Sequence, residues 1–195
     1  MKLYILAIVT AGLLSGCDPQ PKPPGAPKGE TSPVAAPAPA AQQRGNSITV
    51  QMNKVSADGV GDSAGSITIV EMPGGLVFTP ALQGLAQGEH GFHLHENPSC
   101  EPAMKEGKPQ AAAGAGSHFD PANTNRHAGP DGNGHPGDLP RLRITDNALQ
   151  QDVVAKQLSL DDVKNRALVV HEGADDYSTD PAGDSGAPIA CGVVQ

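Results

Sequence analysis

His93-Leu94-His95 constrains the fold of this chain more than any other three residues. In an extended strand, residues two apart share a face, so both imidazoles project together while Leu94 turns to the opposite side. A strand of that kind lays one face on an apolar core and offers ligands on the other. His118, His127, His135, Asp138 and His171 follow in order, so six of the seven histidines and one carboxylate make up enough donors for two metal ions. His90 shares the parity of Phe92 and Leu94, which marks it as a hydrogen-bonded core histidine and not a ligand.

The rest of the folded part reads as strands. Ile48, Val50 and Met52 alternate with polar residues, Ile67 and Ile69 follow, and Gly74-Gly75 separates them from Leu76 and Phe78. A fourth strand carries Gly91 to His95. Leu142 and Ile144, Leu149 to Val154 beyond an Asp146-Asn147 turn, Ala167 to Val170, and Ile189 to Val194 supply four more. The expected class is all-β: an eight-stranded antiparallel Greek-key barrel or sandwich with long metal-binding loops. Leu158 to Lys164 has room for one helical turn, capped by Ser159 with Asp161 and Asp162 behind it. The stretch from Glu96 to Leu139 is too long for an idle loop, since structureless loops beyond about 12–15 residues usually carry a function or a staple.

The chain starts differently. Lys2 and the apolar run Leu3 to Leu14 are too short to span a bilayer and read as a secretory signal over residues 1–16. Leu14-Ser15-Gly16-Cys17 resembles the bacterial lipoprotein box, so Cys17 is the expected lipidation site and the first mature residue. Asp18 after it weakly resembles an inner-membrane retention signal. Residues 17–45 are a lipidated cysteine and a Pro/Ala-rich tether with no apolar periodicity. About 28 residues at roughly 3.1 Å each would let the folded part, 46–195, stand up to roughly 80 Å from the membrane. The expected place is the cell envelope, lipid-anchored outside the cytoplasmic membrane or in the periplasm.

With a formal charge of −8, the chain has no general attraction for nucleic acid, and an anionic substrate would need a local field. Of three cysteines, if Cys17 carries lipid, Cys100 and Cys191 are the remaining intrachain pair. A disulfide between them would pin the long loop to the last strand, and two free buried thiols are the alternative.

His90-Gly91-Phe92-His93-Leu94-His95-Glu96, Gly116-Ser117-His118-Phe119-Asp120-Pro121, His135-Pro136-Gly137-Asp138-Leu139 and Ala190-Cys191-Gly192-Val193 together resemble copper/zinc superoxide dismutase of the bacterial envelope type. The resemblance spans the whole of 46–195. It implies His93, His95, His118 and His171 as copper ligands, and His118, His127, His135 and Asp138 as zinc ligands. His118 would bridge the metals and act in catalysis, and Asp175 would link a copper histidine to a zinc histidine. The implied reaction is dismutation of superoxide anion to oxygen and hydrogen peroxide.

One position departs from the pattern. Where the family carries an arginine before the Ile-Ala-Cys-Gly segment, this chain has Pro188, with neither a charge nor a backbone donor. Reduced efficiency is therefore expected. Lys105 and Lys108 are candidates for compensating steering, and Arg126 a remoter one. Pro188 also leaves room for a second reading, an envelope copper- and zinc-binding protein for metal buffering or delivery. As partners the sequence implies superoxide and a membrane through the lipid at Cys17; the expected state is monomer or homodimer, between which the sequence does not choose.

Overall fold

The computed structural model describes residues 46–145 and 151–195. The expected signal, lipidation site Cys17, tether and Asp146-Asn147 turn lie outside them. Eleven strands occur among the described residues: β1 Ser47–Ser56, β2 Gly59–Met72, β3 Gly75–Leu82, β4 Gly88–His90, β5 Phe92–His95, β6 Ala103–Lys105, β7 Lys108–Gln110, β8 Leu142–Ile144, β9 Val153–Ala155, β10 Arg166–His171 and β11 Pro188–Val194. Seven of them form one antiparallel sheet in the order β5-β10-β11-β1-β2-β3-β9, while β4 pairs with β8 and β6 with β7.

The sheet curls into the expected barrel, with three corrections. Gly91 breaks the fourth strand into β4 and β5, so one stretch of chain pairs first with β8 and then with β10. Its N–H donates to Gly173 O at 2.7 Å and its carbonyl accepts from His171 N at 2.8 Å, which ties the break to the loop after β10. Taking β4 and β5 as one strand leaves the eight expected, plus the unforeseen β6–β7 hairpin inside the long loop. The strand expected at Leu149 to Val154 is the shorter Val153–Ala155, with 146–150 outside the described residues.

Alternation fills the barrel. Val50, Met52, Ile67, Ile69, Leu76 and Phe78 all point inward, and Phe78 meets Phe92 edge to face at 5.7 Å. β10 is apolar on both faces, because Leu168 and Val170 join the barrel core while Ala167 and Val169 join a second cluster around Cys191. Cys100 and Cys191 are bonded there, 5.7 Å apart between α-carbons, and anchor the long loop to β11 as expected. The helical turn is α1 Leu160–Val163, where the Asp162 carboxylate accepts both the N–H and the hydroxyl of Ser159. His90 is a core residue whose ring nitrogens face the carbonyls of His171 and Ala86 at 2.7 and 2.9 Å.

Candidate metal centre

Two loop segments lie against the outer edge of β5. Phe119 N–H donates to Leu94 O at 2.8 Å, Leu94 N–H donates to Gly137 O at 2.9 Å, and Leu139 N–H donates to Phe92 O at 3.2 Å. His118 thereby faces His95, and Asp138 faces His93, as isolated bridges beside the strand. The close approach needs Gly137, since a β-carbon there would sit 2.4 Å from Leu94 O. The loops are thus placed by backbone pairing with the strand whose alternation supplies the first two histidines.

Three groups of donors result among the described residues, each with its ligand atoms within 4.8 Å of one another: two of four residues, and a smaller one of His93, His127 and Asp175. His93, His95, His118 and His171 make the first; His118, His127, His135 and Asp138 make the second, so His118 belongs to both. In the second group three Nδ1 atoms crowd one carboxylate oxygen. Asp138 Oδ1 lies 2.8 Å from His118, 3.1 Å from His127 and 3.2 Å from His135.

In the first group, the side of each ring turned away from the cluster is bonded. His93 Nε2–H donates to Asp175 Oδ2 at 2.8 Å, His95 Nδ1–H to Gly116 O at 2.8 Å, and His171 Nδ1–H to Gly186 O at 2.9 Å. These acceptors fix the tautomers. The opposite atoms, His93 Nδ1, His95 Nε2 and His171 Nε2, are buried without a hydrogen-bond partner. Buried polar atoms are normally satisfied, so three unpartnered imidazole lone pairs gathered in one place fit a metal cation. Asp175 is fully buried and joins the groups, since its Oδ1 accepts from His127 Nε2 at 2.8 Å while Oδ2 holds His93.

The electrostatics fit the same use. Burial pushes His93 and His95 well below the ordinary histidine value, with the neighbouring rings adding to it, and takes His171 down to about 4. Burial lowers His118 as well, against the pull of Asp138. These rings are therefore neutral, with lone pairs free at pH 7. For His127 burial is outweighed by Asp138 and Asp175, which raise it to about 9 in the metal-free protein. Asp138 is held far below the usual carboxylate range, where bonds from His118 and His127 overcome burial.

A cleft of about 600 Å³ opens over the first group, lined by His95, His118, His171, Lys105 and Pro188 among others. Pro188 sits at the start of β11, opposite His171 in the register. Lys105 and Lys108 are exposed partners across the β6–β7 hairpin, but only Lys105 lines the cleft. Arg126 is exposed and its carbonyl accepts from His135 N–H. Sequence reasoning missed the carbonyls of Gly116 and Gly186. It missed Asp180 too, whose Oδ1 accepts the His127 N–H at 2.7 Å. The glycine-rich stretches around them were the only signal.

An antiparallel barrel carrying two donor groups fused at one histidine defines a two-metal β-barrel protein. The sequence profile of copper/zinc superoxide dismutase (SODC) matches residues 63–194. Superoxide dismutase [Cu-Zn] 2 of Salmonella typhimurium is 51% identical over 150 residues, covering 75% of this chain and 87% of the relative. The Cu/Zn superoxide dismutase from Brucella abortus superposes with a TM-score of 0.73 at 47% identity, covering 76% of this chain and 99% of that one. The solution structure of the monomeric enzyme from Salmonella enterica gives 0.68 at 50% identity, covering 76% and 99%. This chain belongs to the copper/zinc superoxide dismutase family.

Proposed function

We propose that this protein dismutates superoxide to oxygen and hydrogen peroxide at a copper site joined to a zinc site through His118. The observation that carries the reading is the set of buried, unpartnered nitrogens on His93, His95 and His171, each backed by a bonded nitrogen on the far side of its ring. Those three and His118 would hold copper, while His118, His127, His135 and Asp138 would hold zinc, a donor set of three imidazoles and one carboxylate that suits its tetrahedral preference. When bound, copper supplies the one-electron redox chemistry and zinc fixes its ligands without taking part in it.

The chain's own residues supply the rest. His118 keeps Nδ1 beside Asp138 and presents its other face to the cleft, where Nε2 can take up a proton and hand it to the departing peroxide. Asp175 and the two glycine carbonyls keep the copper histidines turned inward. Pro188 provides no cation at the mouth, so substrate is guided chiefly by Lys105. If a guanidinium contact there stabilises the bound anion by roughly 1.5–3 kcal/mol, its absence lowers efficiency by about ten- to a hundredfold.

A second reading, metal buffering or delivery, is favoured only by Pro188. It gives no reason for a histidine shared between two donor groups. The lipoprotein-like box Leu14-Ser15-Gly16-Cys17 and the Pro/Ala-rich sequence after it support a lipid anchor and a place in the cell envelope, and the monomeric state of the Salmonella enterica relative supports a monomer here. The test is superoxide consumption by the protein loaded with copper and zinc, set against the protein loaded with zinc alone. Catalysis that follows copper content supports the reading, and equal rates from both preparations refute it.

A further inference from the structure

Tyr177 is a bulky residue in the left-handed backbone region, φ 62°. Such a conformation persists only where its surroundings over-determine it. It turns the residue's N–H back onto Asp175 Oδ1 at 2.7 Å, the same oxygen that accepts from His127 Nε2. An asparagine or a glycine would make that turn with less strain, so the side chain must have another task.

Its contacts show which. The ring lies on Gly129, two residues past His127, so closely that a β-carbon at 129 would come within 2.7–2.9 Å of Tyr177 Cβ, Cγ and Cδ1. The hydroxyl accepts the Arg141 N–H at 2.9 Å, next to β8. The Arg141 guanidinium covers the ring at 4.5 Å from its centre and donates to Glu89 on β4 at 2.9 Å. One side chain thus braces the loop after β10 against the zinc loop and against the β4–β8 pair. The carboxylate it keeps in place orients one ligand of each metal.

We propose that Tyr177 is a positioning residue for the metal pair. It locks the Asp175 carboxylate, and through it His93 and His127, by clamping the loop after β10 onto Gly129 and Arg141. The inference rests on the metal-centre reading above. Ligand-orienting partners outside the direct coordination set typically alter metal affinity by about ten- to a hundredfold, which sets the size of the effect.

The test compares wild type, Tyr177→Asn and Tyr177→Phe as full chains. The asparagine tolerates the left-handed backbone but removes the ring, and the phenylalanine keeps the ring but loses the Arg141 bond. Zinc affinity is measured by chelator competition, and the visible absorption of cobalt at the zinc position reports ligand geometry. The expected result is a ten- to hundredfold loss of zinc affinity with a changed cobalt spectrum for Tyr177→Asn, and a two- to threefold loss for Tyr177→Phe. A Tyr177→Asn protein that unfolds more easily yet keeps wild-type affinity and spectrum overturns the proposal, because its role would then be stability alone. If Tyr177→Asn does not fold, Tyr177→Phe decides, and unchanged affinity and spectrum there overturn it. A wild-type chain that binds no zinc refutes the metal-centre reading instead.

Discussion

At the scale of single residues, the donors that the fold gathers were legible because strand alternation and motif spacing are sequence properties. His93 and His95 follow from parity about Leu94, and the remaining ligand set from the resemblance. The acceptors behind the rings were not legible, since Gly116 O and Gly186 O are backbone atoms whose direction depends on the path of the chain. Tyr177 was hidden for the same reason. Asp175 carries a sharp prediction, because its two oxygens serve two histidines. Asp175→Asn turns an amide NH₂ toward one ring N–H, and calorimetric titration is expected to find affinity for both metals reduced about ten- to a hundredfold. Unaltered binding would mean that the rings hold their orientation without it. Pro188→Arg is expected to raise superoxide turnover about ten- to a hundredfold and to steepen its fall with added salt, read by stopped-flow at two ionic strengths. No gain would show that the cleft has no use for a cation at that place.

At the scale of elements, runs with clear alternation, such as Ile48 to Met52, were placed correctly. The β6–β7 hairpin escaped because Ala103–Lys105 and Lys108–Gln110 are largely exposed and carry no inward alternation. The break at Gly91 was equally silent, as it is fixed by His171 at the end of β10 and Gly173 in the loop after it. The Cys100–Cys191 bond ties the long loop to β11 across 91 residues of sequence. Replacing both cysteines by serine is expected to cost about 2–5 kcal/mol of unfolding free energy, measured by denaturant titration of the metal-free protein. A change below about 0.5 kcal/mol would mean that backbone pairing alone holds the loop.

At the scale of the whole molecule, the histidines make the metal-free fold sensitive to pH in both directions. His93, His95 and His171 are lowered by burial, His171 to about 4, so below pH 6.5 the unfolded chain binds protons that the native chain refuses. Stability from that source is lost as pH falls from about 6.5 toward 4. His127 is raised to about 9 by Asp138 and Asp175 against burial. Its contribution is complete below about 6.5 and lost as pH rises through 9. The denaturation midpoint of the metal-free protein should therefore peak near pH 6.5 and decline on both sides, and a midpoint rising steadily toward pH 5 would contradict the tautomers assigned here. The proposed chemistry requires His118 to stand between two cations. Crystallography of the loaded protein with anomalous data at the copper and zinc edges tests this directly. The predicted result is two peaks flanking the His118 ring, copper toward His93, His95 and His171, and zinc toward His127, His135 and Asp138. A single peak, or two that do not share that ring, would contradict it.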